Sequence, residues 1–146
     1  MDDFVKAPPP YAGGCLCGQV RYGIDERPIG ARICHCRLCQ KAQGAPFFSY
    51  AAFAKRAVRI EGKTVAHQSS RRLLRHFCGT CGTRLFVEPL DAPERLGVSL
   101  ATFDDPNAIR PEMHIWVSSR LDWVRFEDGL PEHAQGSPAP FRAIGD

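Results

Sequence analysis

A mainly β domain with very little helix is the fold class that this 146-residue sequence predicts. Three observations carry the prediction. The run "QVRYGI" from residue 19 alternates polar and apolar residues, the period-two pattern of a half-buried strand. Further short runs of strand length follow it, separated by turn-forming residues. Gly (13) and Pro (12) are plentiful, which suits many turns and short strands rather than long helices.

Taken in order, residues 1–12 read as an N-terminal leader in which "APPPY" is an extended polyproline piece. Residues 13–128 read as the folded domain. After "QVRYGI", "IGARI" (29–33) is a second strand running straight into a cysteine cluster. "CRLCQKAQ" is a helical turn or short helix, stopped by Gly44 and Pro46. "FFSYAAF" (47–53), "AVRIEG" (57–62) and "RRLLRHF" (71–77) are strands with turns between them. "GTRLFVEP" (82–89) is the return arm of a hairpin, and "RLGVSLATF" (95–103) and "MHIWVSS" (113–119) are further strands. Residues 129–146, "GLPEHAQGSPAPFRAIGD", are Pro/Gly-rich and aperiodic and read as an irregular C-terminal tail, extended or mobile.

The length suits one domain able to bury a core of its own. Hydrophobic residues at 44% and charged residues at 24% are ordinary for a globular protein. A net charge of +3 and a pI near 8.5 fall far short of the basic stripe of a dedicated nucleic-acid binder. The first residues carry acids where a signal peptide needs a basic segment. No run approaches the ~20 apolar residues of a membrane span. Cytoplasmic localisation and no membrane partner are therefore expected, and homo-oligomerisation is left open.

Seven cysteines fall into three groups: Cys15 and Cys17 in "GGCLCGQV", Cys34, Cys36 and Cys39 in "CHCRLC", and Cys78 and Cys81 in "FCGTCG". An odd count in CxC and CxxC spacings reads as metal ligands before it reads as a disulfide framework. Gly14, Gly18, Gly79 and Gly82 flank the outer two groups. A zinc knuckle turns tightly so that amides point at the sulfurs, and glycine takes the positive φ required just past a ligand. Two pairs from distant parts of a chain commonly complete one tetrahedron, so Cys15, Cys17, Cys78 and Cys81 suit a closed structural zinc site. The remaining trio then offers three ligands and an open position, the arrangement of catalytic zinc. Other readings stay in play. Taken alone, the CxxC also fits a redox dithiol, and the trio also fits unmetallated buried thiols, although the glycine-flanked CxC favours zinc. His35 or His76 would close the second site, although His35 lies between two ligands and its ring should point away from a metal they share.

The pattern "GGCLCGQVRY … CHCRLCQKAQGAPF … FCGTCGTRLF … MHIWVSSRLDW" resembles the glutathione-dependent formaldehyde-activating enzyme family over about residues 12 to 126. All seven cysteines and the flanking glycines match, as does "GKTVAHQSSRRLLRHFCGTCG" on the approach to the CxxC. So does "HIWVSSRLDW" with His114, Trp116 and Trp123. The resemblance implies a β-tent fold of folded antiparallel sheets held by zinc. It implies a structural zinc on Cys15, Cys17, Cys78 and Cys81, and a second, catalytic zinc on Cys34, Cys36 and Cys39. The activity implied is that of a carbon–sulfur lyase or synthase, whose namesake reaction joins glutathione to formaldehyde as S-hydroxymethylglutathione.

The residue chemistry supports such a role. A free thiol is mostly protonated at neutral pH, and zinc coordination deprotonates it. Three thiolates on a divalent ion leave a net negative site, which favours thiol capture and positioning over carbonyl polarisation. Glutathione carboxylates suit Arg, and Arg71, Arg72 and Arg75 precede the CxxC while Arg37 and Lys41 flank the trio, but such cations read first as solvated surface charge and none is assigned as a site. Phe47, Phe48 and Tyr50 suit core packing better than a pocket wall, His114 reads as a hydrogen-bonded structural histidine, and His35 and His76 are the nearest candidates for proton handling. No Ser-His-Asp pattern or phosphate loop is present. A non-catalytic zinc module binding protein or nucleic acid is the competing class, and it needs only closed metal sites.

Overall fold

The computed structural model describes residues 4–138; the last eight residues of the expected tail and the first three of the expected leader lie outside the described residues. The chain is mainly β, as expected. Its strands are β1 (Tyr11–Gly14), β2 (Arg21–Ile24), β3 (Gly30–Cys34), β4 (Phe48–Ala54), β5 (Val58–Glu61), β6 (Thr64–Gln68), β7 (Leu73–Cys78), β8 (Arg84–Pro89), β9 (Arg95–Ser99) and β10 (Met113–Ile115). One α-helix, α1 (Arg37–Gln43), interrupts them among the described residues. The strands form a small sheet ordered β1-β2-β5 and a large one ordered β10-β3-β4-β9-β8-β7-β6. Among the described residues every pairing of these strands is antiparallel except that of β10 with β3.

The two sheets bury one core between them. The small sheet contributes Tyr11, Tyr22 and Ile24, and the large sheet Phe53, Phe86, Leu96 and Val98, with Phe103 wedged among them. Tyr22 meets the edges of Phe86 and Phe103 at centroid separations of 5.5 and 5.8 Å, while Tyr11 packs on Phe53 and Phe103 at 6.1 and 5.8 Å. Such tilted pairs are favoured by the ring quadrupoles and add about 1 kcal/mol each beyond area burial. Central strand β4 is covered on both faces. Ala51 and Phe53 enter this core, while Phe48, Tyr50 and Ala52 enter a second one on the far side, with Leu73, Val87 and Ile115 beside Cys34 and Cys39. The period-two alternation of side chains along a strand makes both possible.

Two strands escape the sequence reading. β1 begins inside the segment read as leader, and β6 is exposed along nearly its whole length, so no buried face marks it. Residues 129–138 contain no strand of their own, yet they lie along β10. Glu132 bridges to His114, and the Trp116 amide donates to Gln135 O at 2.9 Å. No helix among the described residues is long and apolar enough to cross a membrane.

The chain passes from the small sheet to the large one between β5 and β6, at Gly62. Its φ of +90° is a conformation that side chains rarely adopt, and a Cβ there would stand 2.1 Å from the Gln19 carbonyl oxygen. Gly62→Ala should therefore cost about 2 kcal/mol or more in urea unfolding. Gly44→Ala, at the left-handed cap of α1 with open space around it, should cost only about 1 kcal/mol. Equal losses would show that the contact with Gln19 is unimportant.

Candidate metal centre and its pocket

The outer two cysteine groups meet across the sheets. Cys15 and Cys17 lie in the β1–β2 loop of the small sheet, and Cys78 and Cys81 at the β7–β8 turn of the large one. One sulfur from each of the four falls within 4.8 Å of every other. The Sγ of Cys15 is 3.6 Å from that of Cys17, which is 3.8 Å from that of Cys78. Backbone amides point at these sulfurs: Val20 N–H donates to Cys15 at 3.2 Å, and Thr80 and Cys81 N–H to Cys78 at 3.4 and 3.5 Å. Gly18 and Gly82, each just past a cysteine, have φ of +83° and +80°. The knuckle geometry expected of the flanking glycines is present at these two; Gly14 and Gly79 keep ordinary φ. The Thr83 hydroxyl and amide, and the amide at Cys17, hold the Cys81 thiol down to about 5. None of the seven cysteines is in a disulfide, so the quartet is no disulfide pair.

The trio forms a second cluster at the end of β3 and the start of α1. Cys34, Cys36 and Cys39 also bring their sulfurs within 4.8 Å of one another. The helix supplies the geometry, since Cys36 is its N-cap and accepts the Cys39 amide at 3.3 Å. Cys34 and Cys39 are buried and Cys36 is partly exposed. Hydrogen bonds from Cys34 and Cys39 push the Cys36 thiol far down, and the Cys34 thiol goes up in exchange. No histidine, carboxylate or fourth cysteine joins the cluster among the described residues.

Beside Cys36 a cavity of about 380 Å³ opens between α1, the segment leading into β7 and the turn after β10. Its lining includes Arg37, Arg72, Arg75, Leu73 and Trp116. Arg75 is buried, and its Nη2 donates to Cys39 Sγ at 3.5 Å. Arg72 is exposed and donates through Nε to Asp91 at 3.1 Å. Arg71 and Lys41 are exposed and are not in the lining. Trp116 is the one non-glycine residue with positive φ (+58°) among the described residues. Held strain of this kind tends to gather at ligand-binding walls.

The histidines go elsewhere. His35 turns away from the trio as expected, and its Nε2 lies 2.9 Å from His114 Nδ1, while His114 Nε2 lies 2.8 Å from Asp128 Oδ2. If a neutral His114 donates to Asp128 it must accept at Nδ1, so His35 donates to it from Nε2. That leaves His35 Nδ1 as a bare acceptor, buried with no partner among the described residues. Burial, followed by the repulsion of His114, pushes the His35 imidazole down to about 4. Burial raises the Asp128 carboxyl, yet the bonds from His114 and the Leu130 amide leave it below the ordinary range. His76 lies apart, between Thr64 and Glu88. Phe48 and Tyr50 are core residues, and Phe47 packs on His35 and Phe126 rather than on the pocket. The sequence reading missed Asp128, for which no local pattern exists. It also did not separate Arg75 from its neighbours, although β-strand phase places Arg75 on the same face as Leu73.

The His35 imidazole sets a pH dependence. Its value when folded lies below the unfolded value of 6.5, so between 6.5 and about 4 the unfolded chain binds more protons. This contribution to stability is complete above pH 6.5 and is lost as pH falls toward 4. In an NMR titration one imidazole should stay neutral down to about pH 4; five histidines all titrating near 6.5 would contradict the buried relay.

The family model described as glutathione-dependent formaldehyde-activating enzyme matches residues 10–119, three-quarters of the chain, and the chain belongs to that family. A Halomonas elongata protein provisionally named for glutathione-dependent formaldehyde activation is 25% identical over 133 residues, covering 79% of this chain and 80% of its own. A crystal structure of a Rhodobacter sphaeroides protein shares the fold, with a TM-score of 0.54 at 23% identity over 84% of this chain and 98% of its own.

Proposed function

We propose that this member of the glutathione-dependent formaldehyde-activating enzyme family is a zinc-dependent carbon–sulfur lyase or synthase. Its substrate is a glutathione–formaldehyde adduct or a related thiol adduct. The observation that carries the reading is the trio: three convergent thiols, no fourth ligand among the described residues, and one of the three facing a pocket. A purely structural cluster has no use for such a gap.

The donor sets fit zinc. A tetrahedron with metal–sulfur bonds of about 2.3 Å has sulfur–sulfur edges of about 3.8 Å, and the quartet already shows 3.6 and 3.8 Å. Cys15, Cys17, Cys78 and Cys81 are assigned to a structural zinc, and Cys34, Cys36 and Cys39 to a catalytic one. The two sheets joined through the quartet are read as the family's β-tent, in a cytoplasmic setting.

When bound at the trio, zinc supplies a position that takes a thiol as its thiolate and a Lewis acid beside it. The chain does the rest by placement. The cavity is of a size to enclose much of a small ligand. Leu73 and Trp116 give it apolar wall, while Arg37 and Arg72 stand where carboxylates of a peptide-like thiol can reach them. Holding thiol and carbonyl together replaces an encounter of two dissolved molecules, which is a gain in proximity. In the synthetic direction the sulfur lone pair forms the S–C bond, the carbonyl π pair moves to oxygen, and the proton lost by the thiol is matched by one gained there. The lyase direction is the reverse.

Metal analysis of the pure protein should give two zinc ions per chain. Cys17→Ser should unfold the domain, because a structural zinc contributes folding free energy directly. Cys36→Ser should stay folded with one zinc fewer and lose activity by at least a hundredfold. Equal misfolding of the two variants would refute the division of roles. Activity itself is read as loss of glutathione and formaldehyde above the spontaneous rate, and a rate no better than that background would reject the substrate assignment.

A further inference from the structure

Two arginines are buried among the described residues, and their surroundings differ. Arg32, 2% exposed, donates through Nη1 to the Glu112 carboxylate at 2.7 Å. Arg75, 5% exposed, has no carboxylate within ion-pair distance among the described residues. It sits on β7 opposite Val87, whose side chain belongs to the second core. Nε donates to Ser69 Oγ at 2.8 Å and Nη2 to Cys39 Sγ at 3.5 Å, while Nη1 is buried with no hydrogen-bond partner among the described residues. A buried guanidinium without a counter-charge is strongly unfavourable. The group in contact with it that can carry negative charge is the trio, through Cys39.

We propose that Arg75 is the counter-ion of the three-cysteine centre and sets its selectivity, so that the pocket takes its thiol ligand as the anion. The inference rests on reading the trio as a thiol-binding metal centre. Three thiolates around a divalent ion leave one net negative charge, which repels an incoming thiolate. The guanidinium cancels that charge from within the wall, at short range and away from water, where it is little screened. Arg37 and Arg72 line the same pocket but are exposed, with bonds to Gln40 and Asp91, so their effect on the sulfurs is weaker. Arg75 thus acts on the ionised sulfur rather than on distant carboxylates of the ligand. As a thiol binds, its proton leaves to solvent.

Two probes separate these roles. Glutathione has an ionisable sulfur; S-methylglutathione keeps both carboxylates and lacks it. Binding of each to the zinc-loaded wild type, Arg75→Gln, Arg75→Lys and Ser69→Ala is measured by calorimetry, with zinc content and circular dichroism as controls. Arg75→Gln should weaken glutathione at least tenfold and change S-methylglutathione less than twofold, and Arg75→Lys should recover most of the loss. Equal loss for both probes would make Arg75 a carboxylate anchor, and unchanged glutathione affinity would leave it a packing residue; either result overturns the proposal. If Arg75→Gln does not fold or does not hold its second zinc, Ser69→Ala decides, with a loss of about threefold for glutathione alone expected and none overturning the proposal. A wild type that binds no thiol removes the thiol-centre reading together with this inference, whereas tight wild-type binding left unmoved by these variants removes the inference alone.

Discussion

Four sulfurs from two different sheets have to arrive at one point, and much of the molecule is arranged around that constraint. Cys15 and Cys17 arrive on a loop of the small sheet, and Cys78 and Cys81 on a turn of the large one. The core between the sheets rests on tilted aromatic contacts, which have broad minima and do not by themselves fix the angle between two layers. The sulfur cluster brings the two layers together at one edge. Val20 shows how the two levels connect: it is fully buried in the core, and its amide donates to the Cys15 sulfur. A shift of the small sheet would disturb core and cluster together.

The trio is built in a contrasting way. Its three sulfurs come from one short piece of chain, the end of β3 and the first turn of α1, so no distant segment is needed to assemble them. What distant segments supply is the surroundings: Arg75 from β7, Trp116 from the turn after β10, and the His35–His114–Asp128 chain behind. That chain has its own logic. His35 is set between two cysteines, and a ring facing the same way as they do would compete for whatever they hold. Its bond to His114 keeps the ring on the far side, and Asp128 fixes His114 in turn. Gln40 pins the same stretch by donating to the carbonyls of His35 and Ser119 at 2.7 and 3.0 Å, tying the start of α1 to the far wall of the pocket.

Much of this was legible in the sequence because cysteine spacing and period-two alternation are local signals. The strands read from "QVRYGI" to "MHIWVSS" are present, and the seven thiols divide into four and three as their spacing suggests. The unread strands lack such signals. "TVAHQ" has no buried face, and in "YAGG" Tyr11 is the one large side chain, too little to make an alternating pattern although it enters the core. Among Arg71, Arg72 and Arg75 the sequence offers three equal cations. What separates them is β7 itself: strand phase puts Arg75 on the face of Leu73, and pairing opposite Val87 buries that face while Arg71 and Arg72 stay exposed. The parallel pairing of β10 with β3 is equally a long-range fact. It carries His114 to the register position of Ile33, and so within reach of His35.

That last pairing explains why one short strand matters beyond its length. Because β10 runs parallel to β3 and ends opposite Cys34, the chain leaves the sheet at Trp116 directly beside the trio. To turn there it adopts a left-handed conformation that a bulky residue pays for in steric strain. The strain is held by bonds on both sides: the Trp116 amide donates to Gln135 O, the Val117 amide to His133 O, and the Ser119 amide back to Trp116 O. Residues 131–135 are therefore a brace for this turn. Without that brace the Trp116 backbone would be free to relax to negative φ, and the indole would no longer be held against the pocket. An aperiodic segment can serve here because the task is to present the consecutive carbonyl oxygens of His133, Ala134 and Gln135 to one turn, which a regular strand, whose carbonyls alternate in direction, cannot do.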